Sequence, residues 1–505
     1  MRTRCGAECR ANSVTEPETY DVVVVGGGGT GLAAAIEARS TGRSVVLIEK
    51  NAQLGGSTAW SVGSISASAT PHQLAKGVAD SPADHWRDMA LFNGSLNARD
   101  NPALRRILTD ELPATFRWLI SHGIRFYGPM PEPPHSKPRM HNVLPNSRSF
   151  IRHLERAARR AGVVIVISAR AEELRTENGR VTAVACATPQ GRRLFAARRA
   201  VVLASGDFTN DPELKARYMG AQEAKATGVN PTATGDGQKL AVKLGARILN
   251  GDLALGPELR FVPPQHDNLL LKLPPWAWLA TFMAWSLDHM PGSLLRPFIM
   301  SFVTTALAPS PNLFDAGALL INKNGERFTD ERGAPALALP DQPGGNGYIL
   351  LDQRIAQMFT AWPHFISTAP GVAYAYLADY ARNRRDVFAS ADTLAALGDE
   401  LAMPAGALER TVAAYNEKAR TRPEFGEGPY IALGPARAVF VHNEGGVAVD
   451  DEHRVLGADD KPIPGLYAAG ATGQSGLLLK GHGHHLAWAF VSGRRAGRNA
   501  AQAIK

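Results

Sequence analysis

A chain of 505 residues exceeds what one ordinary core holds and predicts two lobes. Apolar residues make up 45% and charged residues 20%, a globular balance that excludes an intrinsically disordered chain. The formal charge of +8 comes from scattered Lys and Arg, with no basic run interleaved with aromatics and no zinc-finger spacing. That pattern sets nucleic-acid binding aside in favour of a mild positive field for an anionic cofactor or substrate. Cys5, Cys9 and Cys186 lack the spacing of a metal site or a covalent haem and suit a reducing compartment. Residues 1–19 show no signal-peptide core, so a cytoplasmic location is expected.

Residues 20–25 are an apolar, β-branched run that stops at Gly26-Gly27-Gly28-Gly29-Thr30-Gly31. Residues 32–39 are Ala-rich and favour helix, and 44–48 read as a second buried strand closed by Glu49. Strand, glycine turn, helix and strand in this order open a parallel sheet. Residues 150–160 predict an amphipathic helix and 163–167 a strand. Residues 181–187 and 193–197 predict a hairpin around Pro189 and Gly191, 200–204 a separate short strand, and 239–244 a helix. Beyond residue 255 the texture changes to Pro-rich loops and mixed helices, with 393–397 and 407–418 the clearest. Within it, 269–307 carries Trp276, Trp278, Phe282, Trp285, Phe298 and Phe302, broken by Pro274, Pro275, Pro291 and Pro297 and punctuated by Lys272, Asp288 and Arg296. A spanning helix needs about 20 uninterrupted apolar residues. Buried helices or the lip of a substrate entrance are expected instead, with shallow membrane contact as the alternative. From Gly445 the strand-and-glycine texture returns, and a last helix starts near Leu486.

Gly26-x-Gly28-x-x-Gly31 has the spacing of a dinucleotide-binding turn: a tight exit from the strand, close backbone approach to a pyrophosphate, and close helix–sheet packing. Gly29 lies within the same turn. A glycine cluster alone makes ordinary turns; its seat between strand and helix, with Glu49 closing the second strand, makes this one a cofactor site. An acid there accepts hydrogen bonds from the adenosine ribose and repels a 2′-phosphate. Gly55-Gly56-Ser57-Thr58 and Ser61-Val62-Gly63 add a second glycine loop rich in hydroxyls, suited to a pyrophosphate and a flat ring. A simple nicotinamide dehydrogenase has no need of it, so the expected cofactor is FAD.

Five stretches, VVVVGGGGTG with Glu49, LGGSTAWSVGS, VVLASGDF, TGDG at 234–237 and IPGLYAAG…GHGHHLAWAFVSGRRAG, give the chain from about Tyr20 to Ala500 its family likeness. It resembles the fumarate reductase and succinate dehydrogenase flavoprotein superfamily, particularly the soluble branch that includes 3-ketosteroid dehydrogenases. The resemblance implies a Rossmann-type FAD-binding domain with an inserted α+β capping domain. The division expected is a flexible tail 1–19, an FAD domain 20–255 and 436–505, and a substrate domain 256–435. It implies Glu49 and the adjoining Lys50 at the ribose, and Ser57, Thr58, Val62 and Gly63 along the diphosphate and flavin. Ala171 falls at the adenine, Ala204, Ser205 and Gly206 at the strand end, and Asp236 as an acid that fixes the cofactor. Gly470 and Ala471 approach the cofactor, Ala471 standing where the family often has Glu. His485 and Leu486 present helix-start amides to the flavin edge, where they stabilise charge on the reduced ring.

The family shuttles hydride between flavin and one carbon of a C–C bond, while an acid or base handles the proton on its neighbour and a polariser meets the adjoining carbonyl. By the same resemblance His442, before Asn443-Glu444-Gly445-Gly446, is a carboxylate holder, the alternative being a hinge histidine. Lys480 stands where fumarate reductases have Arg, keeping the charge without the bidentate fork. His482 and His484 flank Gly483, where an imidazole suits proton transfer. Arg332, in a shortened Arg327–Arg332 segment, is the candidate proton donor. Leu479 replaces the carbonyl-binding Tyr of ketosteroid dehydrogenases, and Tyr127, in a loop with His135, Arg139 and His141, is its candidate substitute. The weakened dicarboxylate grip and the apolar lobe favour a bulky, carbonyl-bearing substrate with a quinone or carrier protein as electron partner. Reduction of a small unsaturated carboxylate, and a flavin-binding or membrane-peripheral subunit without catalysis, are the rival readings.

Overall fold

The computed structural model describes residues 16–264, 269–369, 373–418 and 422–504; Cys5, Cys9 and most of the expected tail lie outside them. Val22 to Val25, stiff at χ1 and buried, are the centre of β1 (Glu18–Val25). The chain turns through the glycines into α1 (Gly29–Ser40) and returns as β2 (Val45–Ile48), parallel to β1 from Val22↔Val45 to Val25↔Ile48. A small antiparallel sheet follows from β3 (Ser64–Ser66), β4 (Arg125–Met130) and β5 (Met140–Leu144). Next, α2 (Arg148–Ala161) packs on α1 and leads to β6 (Val164–Val166), parallel to β2. Then come β7 (Arg170–Glu177), β8 (Arg180–Thr188) and β9 (Gly191–Leu203).

Here the structure corrects the sequence reading. Residues 193–197 and 200–204 are not two strands but one, β9, which pairs with β1 from Phe195 to Leu203 and with β8 from Gly191 to Ala196. Arg198 and Arg199 interrupt the apolar run and form a bulge, where the register with β1 shifts between Tyr20↔Ala197 and Val22↔Ala200; Arg199 reaches the Ala503 carbonyl at 2.7 Å.

The inserted lobe holds a sheet that its composition hid. It comprises β10 (Glu258–Phe261), β11 (Leu319–Asn322), β12 (Asn346–Leu351), β13 (Phe388–Ala391) and the long β14 (Tyr430–Phe440), on which β10, β12 and β13 all pair antiparallel, and the two-residue strand Thr227–Gly228 pairs parallel with the end of β14. The apolar stretch forms α3 (Ala277–His289) and α4 (Gly292–Ala306), and its aromatics are not buried: Trp278 is 64% and Phe298 62% exposed. The side chain of Phe302 lies outside the described residues. No helix among the described residues is long and apolar enough to cross a membrane.

β15 (Arg454–Leu456) and β16 (Pro462–Ala468) complete an eight-stranded sheet in the order β15-β16-β9-β1-β2-β6, with β8 and β7 continuing from β9. The fold is α/β, with one hydrophobic core around this sheet and a second around β11, β12 and β14. Cys186 is buried in the first, and burial pushes its thiol up to about 12, which leaves it unreactive.

The last helix, α5 (His484–Gln502), lies backbone to backbone on α1. A Cβ on Gly493 would stand 2.5 Å from the Thr30 carbonyl, and one on Gly497 would stand 2.1 Å from that of Ala34. The contacts advance together, so both helices point their N-termini the same way. The start of α5 projects about eight residues, roughly 12 Å, beyond the start of α1. Two positive helix ends thus face the same side of the sheet at different heights.

Candidate active site

A cleft of about 240 Å³ opens at the C-terminal ends of β1, β2 and β9, where ligands sit in parallel sheets. Gly26, Gly28 and Gly29 line it. A Cβ on Gly26 would lie 2.3 Å from the Ala204 carbonyl and one on Gly31 1.8 Å from that of Gly26, so close backbone contact dictates both glycines. A Cβ on Gly28 would meet nothing nearer than the Gly55 carbonyl at 3.7 Å and would stand in the cleft itself. Gly29 N–H donates to Thr58 Oγ1 at 3.1 Å, and Gly55 N–H to the Gly27 carbonyl at 3.0 Å, which ties the second glycine loop to the first. Gly56, Ser57 and Thr58 line the cleft, and Asn230 holds Ser57 Oγ at 2.9 Å. Val62 is exposed and Gly63 packs behind against Val143; neither reaches the cleft lining.

Glu49 is buried, its two oxygens accepting Gly27 N–H at 2.7 Å and Asn51 N–H at 2.8 Å. A carboxylate offers about four acceptor positions, so capacity for ribose hydroxyls is left. Lys50 reaches Asp236 at 2.8 Å, and Arg170 reaches it at 3.0 Å. Burial pushes the Asp236 carboxyl up, but these two cations outweigh it and hold its pKa below the ordinary value. Asp236 therefore lines the wall with its charge already matched. Ala171, Ala204, Ser205 and Gly206 line the same cleft. Gly470 is tucked against Thr30, its N–H bonded to Ser492 Oγ at 2.8 Å, while Ala471 lines the cleft beside it. An acid for a ribose, bare backbone where a pyrophosphate passes, and a second helix N-terminus farther along fit FAD.

At that second N-terminus, His485 and Leu486 line the cleft with His442. The rings of His442 and His485 lie 3.8 Å apart, centre to centre. Behind them Glu444, 2% exposed, stands 3.5 Å from His485 Nε2 and 4.0 Å from His442 Nδ1. Its other oxygen accepts from Gln474 and from Leu479 N–H at 3.1 Å. Burial, reinforced by His485, drives the His442 pKa down to about 3, so that ring is neutral at ordinary pH. Burial raises Glu444, but the imidazoles and the Leu479 N–H outweigh it and bring it to about 2. The site therefore holds one fixed negative charge and a neutral imidazole able to give or take a proton. Sequence reasoning passed over Glu444 inside the very stretch read for His442; an acid before a Gly-Gly step was the available signal. Nothing local pointed to Asn230.

The other candidates are placed differently. Lys480 is half-buried outside the cleft lining; its carbonyl accepts from His484 Nδ1 at 2.6 Å. His482 lies 2.6 Å from Glu132, whose hydrogen bond raises the imidazole pKa. Tyr127 is on strand β4, not in a covering loop, because residues 125–130 pair with β5; its hydroxyl donates to Asp288 of α3 at 3.1 Å. Arg332 lies in the inserted lobe 4.0 Å from Asp330, while Arg327 and Arg422 both grip the buried Glu331. None of these lines the cleft, and of the five proposed catalytic side chains only His442 does.

Behind the Lys480 loop, His85, His135 and His484 bring ring nitrogens within 4.8 Å of one another. His484 donates to the Lys480 carbonyl, so its Nε2 accepts from His85 at 3.2 Å. Arg139 donates to His135 Nδ1 at 3.0 Å, which leaves that ring's proton on Nε2 rather than a lone pair for a metal. The three rings pack against one another, with centroids 5.2–5.4 Å apart.

The family described as FAD binding domain matches residues 21–271 and 279–478. Over 476 residues the chain is 26% identical to an NADH:fumarate oxidoreductase of Klebsiella pneumoniae (strain 342), covering 90% of this chain and 44% of that relative's length. It superposes on the open conformation of a flavocytochrome c3 fumarate reductase with a TM-score of 0.71 at 24% identity, covering 96% of this chain and 79% of the other. On 3-ketosteroid delta1-dehydrogenase from Sterolibacterium denitrificans the TM-score is 0.64 at 18% identity, covering 96% and 100%. At these identities the superpositions speak for the fold. The chain belongs to the FAD binding domain family, and it is an FAD-dependent oxidoreductase of the fumarate reductase and succinate dehydrogenase flavoprotein superfamily.

Proposed function

We propose that this enzyme moves hydride to or from a C–C bond beside a carbonyl in a bulky, apolar substrate. The observation that carries the reading is the His442–His485–Glu444 cluster, which offers a neutral imidazole and already contains a buried carboxylate. A dicarboxylate entering there would meet Glu444 with Arg332 engaged near Asp330 in the other lobe. FAD, when bound, supplies the hydride chemistry. His442 donates a hydrogen bond to the substrate carbonyl and carries the proton, Glu444 orients His485, and the α5 N-terminus favours negative charge at its end of the cleft. A quinone or carrier protein is the proposed electron partner and the cytoplasm the proposed compartment.

Likeness to an NADH:fumarate oxidoreductase supports a second reading, reduction of a small unsaturated carboxylate with Lys480 as the anchor. Stopped-flow spectroscopy separates the two: ketosteroids or aryl enones should turn over the flavin, and fumarate or urocanate should not reoxidise it. Reoxidation by fumarate alone sinks the first reading. Under that first reading, Glu444→Gln should keep FAD bound and slow flavin turnover by at least about tenfold, since an unfixed imidazole loses part of the usual acid–base contribution. Turnover equal to the parent enzyme would remove Glu444 from the site.

A further inference from the structure

The helices of the apolar stretch turn their large side chains outward. In α3 the buried positions are Ala280 and Ser286, while Trp278, Phe282 and Trp285, spaced at i, i+4 and i+7, are 64%, 55% and 50% exposed. In α4, Leu294 and Phe298 repeat the pattern one turn apart. A helix on a water-facing surface carries its apolar stripe inward, and a contiguous exposed apolar face marks an interaction site. Among these exposed rings Trp276 stacks on Trp278, and Phe282 on Trp285. The one acid of the two helices, Asp288, is bonded to Tyr127, and their one arginine, Arg296, is paired with Asp379.

Beside this face runs a basic stripe. The segment entering α3 docks on the start of α2, with Asn146 Nδ2 on the Leu270 carbonyl at 2.7 Å and Arg148 on that of Leu271 at 3.2 Å. From there α2 carries Arg152 and Arg156 at four-residue steps, both exposed, and Lys272 and Arg125 are exposed as well. We propose that the α3–α4 face docks on an anionic lipid bilayer, lying in its interface without crossing it. Tryptophan favours the headgroup level, Phe and Leu enter the acyl boundary, and each nearby Lys or Arg strengthens attraction to anionic lipid about fivefold. Charge complementarity selects this occupant over a second copy, because two copies with a net charge of +8 would bring like-charged arginine stripes together.

The test uses the flavin-loaded protein in flotation with vesicles of phosphatidylcholine alone or mixed with phosphatidylglycerol, some carrying brominated acyl chains. Flotation with the anionic vesicles, tryptophan quenching by the brominated chains, and loss of both in high salt are expected. The triple change Trp278→Ser, Phe282→Ser and Trp285→Ser should weaken binding at least about tenfold, and Arg152→Glu with Arg156→Glu should do the same. An unchanged flavin spectrum in these variants certifies the fold and keeps this result separate from the catalytic reading. Absence of flotation, equal binding to neutral vesicles, or a patch that only converts a dimer to a monomer would each overturn the proposal.

Discussion

Replacing Gly31 with Ala is expected to yield colourless protein, less stable than the parent by more than about 3 kcal/mol. Its new Cβ would stand 1.8 Å from the Gly26 carbonyl, a contact between two main-chain segments that no side-chain rotation relieves. Helix α1 would have to lift from the sheet, moving its N-terminus off the cleft and loosening its contact with α5 through Gly493 and Gly497. Gly28→Ala separates folding from binding. Its Cβ meets no protein atom closer than 3.7 Å and occupies only the cleft, so melting should stay near the parent's while FAD affinity falls about tenfold or more. Visible absorbance of the purified proteins and urea unfolding read the two effects. Stoichiometric FAD at parental stability in Gly31→Ala would mean that the helix does not seat as closely as described.

The opening unit was legible because its signals are local: a run of valines, glycines at fixed steps and an acid at a strand end. The sheet of the inserted lobe was not, because its pairings are remote. Arg260 faces Arg437 and Gly347 faces Ala436, and short strands between Pro-rich loops carry no periodicity long enough to read. Residues 269–307 were legible as apolar but not as outward-facing, since direction depends on which neighbours claim the other side of the helix. The glycine turn was legible because backbone contacts force Gly26 and Gly31, whereas Val62 and Gly63 were expected at the flavin and stand outside the cleft lining. The candidate acid and base side chains were harder to place. Tyr127 has a polar end whose neighbour, Asp288, lies far away in sequence and only the tertiary fold reveals. Glu444 matters through its spatial contact with His485, which lies far away in sequence.

Acid should unfold this protein early, with much of its stability gone between about pH 7 and about pH 5. His85, His141 and His453 are each 0% exposed. Burial lowers all three, and the effect is reinforced by His484 beside His85, His72 beside His141 and Arg495 near His453. His141 and His453 fall to about 3 and His85 well below its ordinary value of 6.5. With the folded pKa below the unfolded one, the unfolded chain takes up protons that the folded chain refuses. The stability these rings confer is therefore present above 6.5 and lost as pH falls toward the folded values. At about pH 5 each such ring costs about 2 kcal/mol, so His141 and His453 together remove about 4 kcal/mol, with His85 acting in the same direction, from a total that is typically about 5–15 kcal/mol. The raised His482, 44% exposed beside the buried Glu132, works the other way, as one ring against three. The His453 ring packs on Trp488 at 5.3 Å, so His453→Phe keeps an aromatic ring there and should flatten the acid limb. Melting temperatures followed by circular dichroism across this range provide the measurement. A melting point unchanged down to about pH 5 would show that these imidazoles accept protons in the folded state, and that the packing around them is looser than their burial indicates.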